Sequence, residues 1–310
     1  MAVRRVVRAV KTVAACAALA VATSVIVFPA ATAGTAARTC HGRPATVVGT
    51  PGHDLVGTEA ADVVVSHGAP FVSTLGGDDL VCVTGATYFV YSGSGDDTVD
   101  ATTRAGEGLT DLGLGADTFT GGPGYDRVHT GETHREGPDV DLDRDVVVTG
   151  VGGSRVFSGT NGSVNNDDLM LSDTPRRRNT LFFEGVQGAL GQVSFGTGKA
   201  ELAVLGVDGV GDVTTVDNHR RTVLVNGSPV LDWNGEVDRF YVASYESEAL
   251  VFLGTEAAEH LVVSQWMAVQ ADMGPGDDKV TVGCTSPGNP EPSRVLCRSH
   301  TGCGSRLRAA

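Results

Sequence analysis

The nine residues SGSGDDTVD, Ser92–Asp100, place two glycines and a pair of adjacent aspartates in one short stretch and follow them with β-forming residues. Glycine lets a backbone turn with φ > 0. Asp96 and Asp97 bring negative charge to that turn, and Thr98-Val99 is strand material. Such a turn gathers carboxylates and backbone carbonyls, the oxygen donors that suit a hard cation. One copy would prove little, but the chain carries others: TLGGDDLVC (Thr74–Cys82), LGLGADTFT (Leu112–Thr120), GGPGYDRVH (Gly121–His129) and MGPGDDKVT (Met273–Thr281). All five units are nine residues long, with Gly fourth, Asp sixth and an apolar residue eighth. GTPGHD (Gly49–Asp54) and GTEAADVVV (Gly57–Val65) look like worn copies, and the latter returns as GTEAAEHLV (Gly254–Val262) with Glu259 in the place of Asp62.

The five units resemble the hemolysin-type (RTX) calcium-binding repeat proteins, whose nonapeptide is G-G-x-G-x-D-x-U-x. The resemblance is firm over Thr74–His129 and one late unit and faint elsewhere. It implies a parallel β-roll in which each nonapeptide makes one turn and one short strand, and two of them, about 18 residues, complete a coil. In that fold calcium lies between loops stacked on one side. The fold class expected is therefore all-β, a parallel β-roll or β-solenoid with degenerate central coils and an irregular C-terminal cap. Carried onto this sequence, the calcium-holding places are Gly77, Asp79, Gly95, Asp97, Gly115, Asp117, Gly124, Asp126 and Asp278.

Spacing refines that picture. Asp79 and Asp97 are 18 residues apart, one coil, and Tyr88 stands between them where the opposite loop would place an aspartate. Asp97 to Asp117 is 20 residues, a coil with a two-residue insertion. Asp126 follows Asp117 by nine and so belongs to the other edge, with no clear partner. The eighth-place residues Val81, Val99, Phe119, Val128 and Val280 should point inward and build a narrow core. A solenoid whose turns are satisfied by water and by their own side chains, with no ion, is the plain alternative.

The remainder of the chain sets bounds. Arg4, Arg5, Arg8 and Lys11, the apolar run Val13–Phe28 and Ala31-Thr32-Ala33 have the layout of a secretory signal peptide over residues 1–33, a membrane anchor being the alternative. Without those four bases the chain keeps 19 basic against 37 acidic residues, a net −18. Such a surface disfavours nucleic acid and anionic membranes and attracts cations. The expected organisation is an RTX-like roll over 34–149, a degenerate solenoid or β-rich region over 150–270, and a final repeat with a cysteine-containing tail over 271–310. In the second region VNNDDLML (Val164–Leu171) reads as a decayed unit, with a separate β-sandwich as the alternative.

Other candidates are weaker. PDVDLDRDVVV (Pro138–Val148) would line Asp139, Asp141, Asp143 and Asp145 on one face of a strand, as a solvated face or an extra cation site. HTGETH (His129–His134) could bind zinc but reads better as a polar loop. No H-E-x-x-H, G-x-S-x-G or GK[ST] motif is present. Export permits disulfides. A tie from Cys40 to Cys82 would pin the N-terminal segment across the first coils, and two of Cys284, Cys297 and Cys303 could staple the tail. The sequence thus points to a secreted, extracellular, non-enzymatic protein whose cofactor and partner is calcium, with no membrane insertion and with any protein or polysaccharide partner unspecified. A carbohydrate-active lyase or hydrolase on a β-helix is the competing reading.

Overall fold

The computed structural model describes residues 38–131, 142–160, 163–205, 211–243, 249–264, 268–283 and 295–298. The leader, Glu132, His134, Asp139, Asp141, Cys284 and Cys303 lie outside them. Among the described residues there is no helix, and none that could cross a membrane. The chain coils as a parallel β-solenoid with two long faces. The first face is an 11-stranded sheet running from Leu55–Val56 to Lys279–Gly283. The second begins as an 8-stranded sheet from Val47–Val48 to Gln192–Phe195. A separate sheet containing Val213–Asp217, Ala249–Leu253, Ala268–Asp272 and Val295–Arg298 takes over after it.

The repeat phase explains the pairing. Thr98–Asp100 lies parallel between Leu80–Cys82 and Thr118–Thr120, with Val81, Val99 and Phe119 in register. All three are fully buried, as are Val128 and, nearly so, Val280. Coils vary around the expected length: Leu55 pairs Val72 and Val72 pairs Val90, 17 and 18 residues on. Tyr88 is exposed, so it leaves its ladder place empty.

The solenoid does not stop where the glycines do. The first sheet passes unbroken through Ser154–Ser158, Thr174–Glu184 and Gly198–Leu205, and Asp168–Leu171 of the decayed unit joins the second. Early strands of three residues bury one apolar side chain in the main core, as Val99 does; late strands of five bury two, such as Leu261 and Val263. Alternation along a strand makes this legible as HLVVS. The wider core is filled by Phe240, Phe252 and Trp233, with Phe240 edge-on to Phe252 at 5.1 Å. Trp233 follows an antiparallel hairpin, Thr222–Val225 with Ser228–Asp232, that interrupts the coiling. Its turn is Asn226-Gly227, both at positive φ, as a two-residue hairpin requires.

One expectation is corrected here. The strand after the 132–141 segment is only Val146–Val148, so Asp143 and Asp145 do not share a strand face: Asp143 is exposed and Asp145 buried. The N-terminal segment is a clip on the first coils. A hairpin of Thr39–Cys40 and Arg43–Pro44 lies against the outside of the second face. It buries Cys40, Val63, Val65 and Leu80 in a cluster separate from the main core. Cys40 and Cys82 are disulfide-bonded, with Cα atoms 5.6 Å apart.

Candidate metal centre

Along the second face, the six coils between its end strands each place an acid two residues before the inward apolar residue: Asp62 before Val64, Asp79 before Val81, Asp97 before Val99, Asp117 before Phe119, Asp145 before Val147, Asp167 before Leu169. Parallel register stacks these six side chains. Oδ1 of Asp79 accepts the N–H of Asp62 at 2.7 Å, and Oδ1 of Asp97 that of Asp79 at 2.8 Å. Asp117 and Asp145 repeat the bond at 2.8 Å each, and Asp167 at 3.1 Å. The result is one continuous ladder of carboxylates, each at most 5% exposed.

Glycine makes the turns narrow enough for this stacking. Gly77, Gly95 and Gly115 sit above one another at φ 95°, 122° and 123°. A Cβ on Gly95 would lie 2.6 Å from the carbonyl oxygen of Gly77, well inside contact. Carbonyl oxygens of one turn therefore press against the next, beside the carboxylates. An outer pair runs parallel: exposed Asp78 and Asp96 accept the N–H groups of Asp96 and Ala116, both at 3.0 Å.

The ladder's ends and its middle differ. Asp62 receives Thr46 Oγ1 at 2.8 Å, Thr58 N at 2.8 Å and Thr58 Oγ1 at 2.9 Å. Burial pushes its pKa up, but these donors together outweigh burial and leave it below the usual value. At the other end Asp167 Oδ2 accepts Ser158 Oγ at 2.7 Å and Thr130 Oγ1 at 3.0 Å, and burial still raises its pKa. In the middle, Asp97 is 1% exposed and its Oδ2 has no hydrogen-bond partner. Burial, against the Asp79 N–H and joined by the charges of Asp79, Asp78 and Asp96, lifts its pKa to about 8. Asp79 is raised as well, chiefly by burial. Among the described residues, none of Asp62, Asp79, Asp97 or Asp167 has an Arg, Lys or His ion-pair partner.

The other predicted ligands are elsewhere. Asp126 and Asp278 occupy the same kind of place on the first face, before Val128 and Val280, but in distant coils. Asp126 does have a partner: Arg104, at 2.6 Å and wholly buried with it. Gly124 presses on the carbonyl of Gly106 but lacks the left-handed φ of the second-face glycines. Asp278 Oδ1 accepts the N–H of Glu259 at 3.0 Å, and Glu259 Oε1 accepts Asn218 Nδ2 at 3.0 Å and Thr255 N at 2.7 Å. Glu259 Oε2 and Asp278 Oδ2 are buried without partners. His129 of HTGETH stacks on Phe157 at 4.4 Å.

Asp62, Asp167 and Glu259 were not among the predicted ligands, and Asp145 was considered only with Asp139, Asp141 and Asp143 as an extra cation site. Their signal is present in the sequence: an acid at the sixth place and an apolar residue at the eighth survive where the glycines have gone. Among the described residues, no three carboxylates bring oxygens within 4.8 Å of one another; the single group that does converge, Cys40, His41 and Cys82, has its sulfurs in the disulfide. A cation on the ladder would thus take two successive carboxylates and complete its shell with carbonyls. A separate open cavity of about 460 Å³ near the hairpin is lined by His219, Arg221, Glu236, Asp238 and Glu256, among others. Its Asp238 is clamped by both terminal nitrogens of Arg178, at 2.5 and 2.9 Å. Comparison with family models, curated proteins and solved structures returns no match.

Proposed function

We propose that this chain is an exported calcium-binding β-solenoid of the hemolysin-type repeat class, with a structural or interaction role. The observation that carries the reading is Asp97: a buried carboxylate with one oxygen lacking a partner, held between two further acids. A buried charge in that state is costly unless it is neutralised by a proton or a cation. Asp79, Asp97 and Asp117 would supply the carboxylates, and the stacked turns of Gly77, Gly95 and Gly115 the carbonyls. The hydroxyl-saturated ends of the ladder, Asp62 and Asp167, need no ion. The Cys40–Cys82 disulfide fits an oxidising compartment, in keeping with the leader-like residues 1–33.

Calcium and proton compete for the same oxygens, which gives a direct test. Calcium added to the metal-free protein at pH 7.5 should release protons into a weakly buffered solution and raise the melting temperature. Magnesium, which demands a tighter octahedral shell, should do so far less. Unchanged melting curves with calcium and with chelator, and no proton release, would leave a proton-neutralised solenoid as the answer.

A further inference from the structure

On the first face, the buried charge of Asp126 is met by different means. Asp126 has the repeat's sixth-place position, yet Arg104 Nε and Nη2 both donate to its Oδ1, at 3.2 and 2.6 Å. The two side chains are 1% and 0% exposed. Arg104 comes from a turn, its own N–H bonded to the carbonyl of Ala101 at 2.9 Å. It enters a space that the adjacent coil leaves open. Gly108 is in register with Asp126 and stands where that coil would carry its ladder side chain. A Cβ on Gly108 would fall 2.6 Å from Arg104 Nε and closer still to the guanidinium carbon.

The turn shares the crowded carbonyls of the second-face turns, while Gly108 and Ser154, in register with Asp126, leave it a single ladder carboxylate. A Cβ on Gly122 would lie 2.5 Å from the carbonyl oxygen of Ala101 and 2.7 Å from that of Thr102; one on Gly124 would lie 2.9 Å from that of Arg104. Carbonyls of one coil therefore crowd the glycines of the next, as on the second face. The differences are the glycine conformation, the single carboxylate and the counter-charge. Arg104 neutralises Asp126, whereas Asp97 has no basic partner.

We propose that the guanidinium of Arg104 stands in the place of a divalent cation, so that the Asp126 turn is a latent calcium-class site filled by the chain itself. The inference rests on the calcium reading of the second-face ladder. A guanidinium is always charged and cannot dissociate from the chain, so this coil is neutralised at any calcium concentration. Further along the same face Arg178 also pairs an acid, Asp238, but there both side chains are partly exposed. The solenoid thus holds both a turn that carries its own cation and turns that would take an ion.

The test is the number of calcium ions bound by the full chain, by titration calorimetry, together with melting in calcium and in chelator. Arg104→Gln should bind one ion more than the parent, and its melting temperature should fall further in chelator and recover in calcium. Arg104→Gln/Asp126→Asn should return to the parent's number. An R104Q protein that folds with the parent's stoichiometry and calcium response overturns the proposal. If R104Q is recovered unfolded, calcium present during refolding decides: restored folding supports the latent site, and no restoration while the double variant folds overturns it. The parent's own stoichiometry tests the second-face ladder separately, and the difference between R104Q and parent is readable whatever the parent binds.

Discussion

At the scale of single residues, Asp97 shows how the ladder couples stability to pH. Its folded pKa of about 8 lies above the value near 4 of an unfolded aspartate. The folded state therefore holds a proton that the unfolded state has lost between those values. Stability from this group is full below about pH 4 and is lost as pH rises through 8. The groups facing it, Asp79, Asp78 and Asp96, are all acidic and act in the same direction. Asp62, whose pKa is depressed, acts oppositely and loses its contribution as pH falls through its folded value. Metal-free protein should accordingly be most stable in mild acid, and calcium should remove the decline toward pH 8. Asp97→Asn keeps an oxygen for the Asp79 N–H and discards the charge. In chelator at pH 8 it should melt higher than the parent, on the order of 5 °C, while losing calcium response. A D97N protein that melts lower than the parent in chelator would show that the charge is already compensated.

At the scale of elements, the N-terminal clip is the feature most exposed to a single chemical change. The hairpin reaches two coils of the second face, through the Cys40–Cys82 bond and through His41 Nε2 at 2.7 Å from Asp100. The bond spans 42 residues, and in the chain-entropy model closing such a loop stabilises by about 4 kcal/mol. Reduction, or Cys40→Ser with Cys82→Ser, should expose the Val63, Val65 and Leu80 patch and lower the melting temperature by several degrees. An apolar dye reporting no new surface after reduction would mean that the hairpin stays docked by packing alone. The pairing itself was legible, because Cys82 is a ninth-place residue and so faces outward. The hairpin's position was not: RTCHGRP has no periodicity to say whether it covers an edge or a face. The Asp139–Asp145 alternation misled for a related reason. Asp145 is the sixth place of a unit without its glycines, and the inward Val147 two residues on is the stronger cue.

At the scale of the molecule, a solenoid's stability is close to a sum over coils and their neighbours, so an ion acts locally. The second-face ladder runs from Asp62 to Asp167, and its most costly stretch is Asp79 and Asp97, whose burial raises their pKa values. The late coils rest on a different basis: two apolar side chains per strand, Phe240, Phe252 and Trp233 in the core, and Arg178 on Asp238. Four nonapeptides made the early coils readable; the later ones, one late unit apart, were readable only as alternating short strands, because packing had replaced turn chemistry as the source of stability. Arg104 was invisible in the sequence, since nothing in ATTRAGEG marks a base that folds inward. This division predicts where calcium acts. Hydrogen exchange in chelator should rise first in the strands Leu80–Cys82, Thr98–Asp100 and Thr118–Thr120, where protection depends on neutralising Asp79, Asp97 and Asp117. The strands Arg239–Ala243 and Ala249–Leu253 should keep their protection, because apolar burial there does not change with the ion. Asp126–His129, opposite the ladder but neutralised by Arg104, should fall between the two. Uniform loss along the whole solenoid would show that the coils unfold as one unit and that the ion's effect is not local.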